Sequence, residues 1–234
     1  MVNDGRIFSR YLLGVCFGQT QNYTAIAAVK HFVHHETKEA RYEIVSLERP
    51  PLGTRYSKIV DYIISMLKTP EFSGRCMSST QRAQTELVVD VTGTGSPIVD
   101  LIKDRGAWEY AHLVSCVITS GSTLTMVGAG YGVPVKDLAS TLQTLFQDGR
   151  IKVAEDLKLG SVLVKELLNF KAKPNTNAAS DTYEAWREKD HDDLVFAVAL
   201  PIWWANTYRK YSSGGWLPPV EAVTGGHGYN GPYL

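Results

Sequence analysis

Apolar residues in this chain fall into short runs whose spacing changes twice. Tyr11 to Phe17 is a short apolar run, Tyr23 to Val33 is rich in β-branched and small apolar residues, and Arg41 to Leu47 is another strand candidate. The polar segment His34-His35-Glu36-Thr37-Lys38-Glu39-Ala40 separates the last two runs. Three such runs in succession predict an antiparallel meander. Pro50-Pro51-Leu52-Gly53 ends it, and Tyr56 to Leu67 then carries helical spacing. Glu86 to Val91 reads as a compact strand, followed by the glycine loop Thr92-Gly93-Thr94-Gly95-Ser96-Pro97. A helix from about Ile98 to Lys103 follows, with Pro97 near its first turn, where a missing N–H costs little.

From there strands and helices alternate. His112 to Thr119 predicts a strand, and Gly121 to Val133 a hairpin or flap. Pro134 to Asp137 leads into a helix through about Phe146, closed by Asp148-Gly149. Arg150 to Ala154 is a short strand and Ser161 to Phe170 an amphipathic helix. Lys171 to Ser180 is polar and turn-rich, and Asp181 to Trp186 precedes a last apolar helix beginning near His191. The order predicts one α/β domain with a mixed sheet over residues 11–210. Residues 1–10 read as an N-terminal extension, and the Ser-, Gly- and Pro-rich stretch 211–234 as a flexible tail or a docking segment.

Composition narrows the class. The 234 residues carry 24 basic and 24 acidic side chains, and a net charge of zero argues against a globally basic nucleic-acid binder. A local basic groove beside an acidic site stays compatible with it. Cys16, Cys76 and Cys116 are odd in number and widely spaced, which predicts reduced thiols in a cytoplasmic protein. No leader pattern opens the chain, and no apolar run reaches membrane-spanning length.

The chemistry concentrates in a few acids. Asp192 and Asp193 open a helix that is apolar nearly all round, where carboxylates are costly unless a divalent cation or the helix N-terminus neutralises them. Capping and metal binding weigh evenly on that pair alone. Asp90 stands at the C-terminal end of its strand, where open α/β sheets place ligands, with loop capping as the bland alternative. Together these carboxylates could hold one or two Mg²⁺ ions, and two ions roughly 4 Å apart would clamp a phosphodiester. Gly93-Thr94-Gly95 lacks the third glycine of a dinucleotide fingerprint, and no phosphate-binding G-x-x-x-x-G-K-[ST] occurs. The cluster His31, His34, His35 and Glu36 reads as a solvated turn. Trp186, Trp203 and Trp204 read as packing residues rather than base-stacking ones.

With these segments in order, the chain resembles the nuclease domain of phage terminase large subunits, an RNase H-like α/β fold. The resemblance is carried by Gly14-Val15-Cys16-Phe17-Gly18-Gln19 with Asn22-Tyr23-Thr24-Ala25, and by Val88-Val89-Asp90-Val91-Thr92-Gly93-Thr94-Gly95. Val133-Pro134-Val135-Lys136-Asp137-Leu138, Glu166-Leu167-Leu168-Asn169-Phe170 and His191-Asp192-Asp193-Leu194-Val195 complete it. It implies a metal-dependent endonuclease that cuts double-stranded viral DNA during genome packaging, phage- or prophage-encoded, with Mg²⁺ or Mn²⁺ in a two-metal site. Asp90 and Asp193 would hold the metals, with Asp192 as a further catalytic carboxylate. The partners it implies are double-stranded DNA and a terminase ATPase, a small terminase subunit or a portal. The ATPase that such subunits carry is not in this chain.

The chain departs from the family at one corner. Cys16 stands where the family has a first-strand aspartate, and Asn22 where a second acid is frequent. A thiol is a poor ligand for a hard cation. Glu48 and Glu86 are the residues that could compensate. Two other readings follow: a degenerate, non-catalytic RNase H-like protein that binds DNA or a packaging partner, and a junction resolvase sharing the same fold.

Overall fold

The computed structural model describes residues 6–18, 22–73, 85–172, 192–212 and 221–222. Three long strands open the chain: β1 (Arg6–Cys16), β2 (Ala25–His34) and β3 (Ala40–Glu48). They form the antiparallel meander, with β1 paired to β2 and β2 to β3. After α1 (Tyr56–Leu67), strand β4 (Thr85–Asp90) returns to the far side of β1 and pairs with it in parallel. Helix α2 (Ser96–Asp104) and β5 (Ala111–Thr119) follow, β5 again parallel to its neighbour β4.

The glycine-rich stretch is a hairpin of β6 (Thr125–Val127) and β7 (Gly130–Pro134), and β7 continues the sheet beside β5. Then come α3 (Val135–Gln147), β8 (Ile151–Val153), α4 (Gly160–Ala172) and α5 (Asp193–Ser212). The short β8 pairs in parallel with β3 at one edge. A two-residue β9 (Glu221–Ala222) pairs with β6 at the other. The strand order is β8-β3-β2-β1-β4-β5-β7-β6-β9. This mixed sheet, antiparallel across its first three strands and flanked by helices, is the RNase H-like class that the sequence predicts.

Two boundaries differ from the sequence reading. Strand β1 begins at Arg6, pairing with His34, so residues 6–10 belong to the sheet and not to an extension. Glu221 and Ala222, inside the stretch read as a tail, add a strand to the sheet edge. Lys173 to His191, including Trp186 and most of the polar stretch after Lys171, lies outside the described residues, as does Cys76.

Alternation along the central strands sorts side chains into two layers. Leu13, Val15 and Phe17 of β1 and Leu87 and Val89 of β4 pack with α1 and α2 residues such as Ile59, Ile63 and Ile102. Leu12 and Cys16, with Val88 and Val114, face the opposite layer and pack with residues of α3, α4 and α5. Helix α5 is therefore covered by the sheet on one side and by other helices on the rest. Leu194 to Leu200 are buried without interruption, which explains a helix apolar on every face.

The direction of α5 follows from two contacts. Trp204, late in the helix, donates through Nε1 to Glu86 at the start of β4, 3.2 Å away. A Cβ placed on Gly14, near the C-terminal end of β1, would lie 1.9 Å from the Ala197 carbonyl oxygen and 2.7 Å from Pro201. Pro201 has no N–H to offer that carbonyl, and only a glycine lets the strand approach it. Helix α5 thus runs antiparallel to β1 and β4. Its first residues lie over the C-terminal ends of those strands.

Candidate functional site

Three side chains from adjacent strands meet at that end. In register, Cys16 is opposite Asp90 across the β1–β4 pair, and Asp90 is opposite Cys116 across the β4–β5 pair. All three are buried. Cys16 Sγ donates to Asp90 Oδ2 at 3.3 Å. Asp90 Oδ1 accepts from the Thr92 N–H at 2.8 Å and the Thr92 hydroxyl at 2.5 Å. Thr92 Oγ1 in turn accepts the Ile118 N–H at 2.8 Å, tying the glycine loop to β5. One oxygen of Asp90 therefore has the loop-capping role, and the other faces Cys16. Burial, and the nearby Asp90 charge, push the Cys116 thiol well above its ordinary pKa, so it stays a neutral core residue.

Asp192 and Asp193 arrive at the same end on α5. The Asp192 carbonyl accepts the Phe196 N–H at 3.0 Å, which makes Asp192 the cap residue and Asp193 the first residue of the helix. Both are buried. His191 lies outside the described residues.

Two residues that the sequence reading did not single out as site residues complete the corner. Glu166 of α4 is buried and accepts the Leu194 N–H on Oε2 at 3.1 Å, satisfying one of the open donors of α5. Arg49, just after β3, donates to Glu166 Oε1 at 2.5 Å and lies 3.8 Å from Asp193 Oδ2. Its guanidinium also sits over the Tyr23 ring, 5.3 Å from the centroid. Burial lifts the Glu166 carboxyl to about 7; Arg49 opposes the rise and the Asp193 charge adds to it.

The two acids proposed as compensating ligands have partners of their own. Glu86 stands at the opposite end of β4, bound by Arg10 Nη1 at 2.5 Å, His112 Nδ1 at 2.7 Å and Trp204. Glu48 accepts the Tyr62 hydroxyl at 2.6 Å and the Ser46 hydroxyl at 3.4 Å. The histidine cluster divides as well. His34 Nδ1 accepts the Glu36 and Thr37 N–H groups in the turn, whereas His31 is buried against Tyr42 and is no part of a solvated turn. Asn22 lines a cavity of about 250 Å³ next to this end of β1, with Gly18, Thr24, Arg55 and Tyr56.

Magnesium takes one or two carboxylates and keeps its other positions for water. Among the described residues, no group of three or more His, Cys, Asp or Glu side chains stands close enough to hold a metal ion. Asp90 and Asp193 supply carboxylate oxygens at one end of the sheet, and Cys16 supplies none.

The fold is a mixed α/β domain with the strand order β8-β3-β2-β1-β4-β5-β7-β6-β9. No protein-family model matches the sequence, and no curated protein matches it. Among solved structures, the chain is similar to the human cytomegalovirus terminase nuclease domain. That match has 17% identity and a TM-score of 0.45, over 83% of this chain and 84% of that one. The Mn-soaked form of the same domain matches at 18% identity and a TM-score of 0.41, over 85% and 83%. The fowlpox virus Holliday junction resolvase matches at 9% identity and a TM-score of 0.41, over 85% of this chain and 99% of that one.

Proposed function

We propose that this chain is a terminase-type nuclease domain that acts on double-stranded viral DNA, with Asp90 and Asp193 holding a divalent cation. The observation that carries the reading is the antiparallel run of α5 over β1 and β4. It brings the helix-start aspartates to the strand end that bears Asp90. Mg²⁺ or Mn²⁺ bound there would polarise a phosphodiester and lower the pKa of a bound water. The protein's part is to fix the oxygens: Thr92 orients Asp90, and Glu166 with Arg49 anchors the start of α5. Asp192 at the cap is the further carboxylate of the set.

A second reading is favoured by the Cys16–Asp90 hydrogen bond, in which a neutral thiol occupies the place of a ligand. In that reading the domain binds DNA or a packaging partner such as the ATPase, the small subunit or the portal, without cutting. Plasmid incubation with Mn²⁺ separates the two. Under the nuclease reading the natural chain nicks or linearises the plasmid and Asp193→Ala does not. Equal background cutting by both defeats it. A preference for four-way junctions over linear duplex would move the domain to the resolvases.

A further inference from the structure

The cavity beside the end of β1 opens at the start of α1, and we propose that it is a subsite for one phosphate group, held by Arg55, Asn22 and Thr24. No residue lining its volume of about 250 Å³ is acidic. Its frame is fixed before any ligand arrives. The Tyr56 hydroxyl donates to the Gly18 carbonyl at 2.8 Å, and the Tyr56 and Phe17 rings meet edge to face. Thr24 stands in the wall, only 5% exposed. Its oxygen accepts the Gly18 N–H at 3.2 Å, while its hydroxyl hydrogen has no acceptor among the described residues. A buried donor in that state is costly until an acceptor reaches it. The Asn22 side-chain amide lines the same space and has no hydrogen bond among the described residues.

The start of α1 supplies the charge. Arg55 is the cap residue, with φ −62° and ψ 139°, where Asp, Asn, Ser or Thr would bond the open N–H groups. Arginine has no acceptor for them, and the first turn holds no acid but carries Lys58. Two cations at the positive end of a helix are unfavourable unless an anion joins them. Arg55 is exposed and has no ion pair among the described residues, and the Ser57 N–H has no acceptor among them. A phosphate offers what all of these lack: acceptor oxygens for Thr24, Asn22 and Ser57, and negative charge for Arg55. A DNA backbone and free inorganic phosphate both present this group. The strand as its source rests on the DNA binding that the cutting and the non-cutting readings share.

Nuclear magnetic resonance of the whole chain, without divalent metal, tests this with inorganic phosphate and then with a short linear duplex. Phosphate is expected to shift the Asn22 side-chain amide and the Ser57 amide, and the duplex to displace it. Arg55→Asp supplies the missing cap and removes the cation. It is expected to raise the urea midpoint while weakening phosphate binding about tenfold or more. A structural arginine would not combine a gain in stability with a loss of binding. In duplex titrations, Arg55→Gln should flatten the slope of log affinity against log salt by about one. Phosphate that leaves both amides unmoved, or an Arg55→Asp variant that keeps full affinity, overturns the subsite and leaves the nuclease reading standing. Phosphate bound at these amides and undisturbed by duplex assigns the subsite to free phosphate and counts against the DNA-binding readings instead.

Discussion

Cys16 and Asp90 are register partners on adjacent parallel strands, with Sγ 3.3 Å from Oδ2. A buried carboxylate there needs donors, and it has them from a thiol on one side and from Thr92 on the other. The strand end is thus a settled structure before any ligand arrives. Replacing Cys16 by Ala would remove one donor from Asp90 Oδ2, at a cost of about 1–2 kcal/mol. Urea denaturation of Cys16→Ala and Cys16→Ser checks this, with the serine variant expected to retain most of the stability.

Gly14 is the point at which the helix layer presses on the sheet. An alanine methyl there would overlap the Ala197 carbonyl, 1.9 Å away, and the Pro201 ring. Both are backbone or ring atoms, so nothing flexible can yield. Gly14→Ala is expected to cost about 3 kcal/mol or more, measured by the urea midpoint. A loss within experimental error would contradict the close approach of α5 to β1.

Arg49 separates two buried carboxylates. Removing its charge while leaving Glu166 and Asp193 in place exposes their mutual repulsion, and such broken pairs cost about 3–5 kcal/mol. Arg49→Met is expected to fall in that range. Adding Glu166→Gln should restore part of the loss, because the amide oxygen can still accept the Leu194 N–H. Hydrogen exchange at Leu194 gives a local readout: faster in Arg49→Met, slower again in the double variant.

The far end of β4 carries a pH-dependent cluster. Glu86 lies below its ordinary 4.5; burial pushes it up, but His112, Arg10 and Trp204 outweigh it. His112 lies above 6.5, first through its hydrogen bond to Glu86. The His112 share of stability is full below 6.5 and fades as pH rises through its folded value. The Glu86 share is present above 4.5 and fades as pH falls through its folded value. Their sum is therefore largest between the two. His112 is half solvated, so screening limits its share to a few tenths of a kcal/mol, on the order of an exposed pair. The difference in urea midpoint between the natural chain and His112→Gln should peak near pH 5.5 and vanish in the alkaline range. A difference that does not change with pH would contradict the pairing.

Much of the scaffold was legible in the sequence, because it rests on local periodicity. Tyr56 to Leu67 is the helix its apolar spacing predicts, and the three opening strands pair as a meander. Asp90 at a strand end and Asp192-Asp193 at a helix start were also visible as local features. Arg49 and Glu166 were not read as one unit, since their meeting spans 117 positions of sequence. One signal was available for Glu166: it shares a helix face with Leu163 and Phe170, both buried, where a charge demands a partner. No comparable signal marks Arg49, whose role comes from where β3 ends. Alternation too weak to distinguish a strand from a polar extension hid the first turns of β1, from Arg6 to Arg10.

Crystals of the natural chain soaked in Mn²⁺ test the central claim most directly. The account expects an anomalous peak within about 2.5 Å of carboxylate oxygens from both Asp90 and Asp193. Manganese bound only elsewhere on the surface, with this strand end undisturbed, would contradict it.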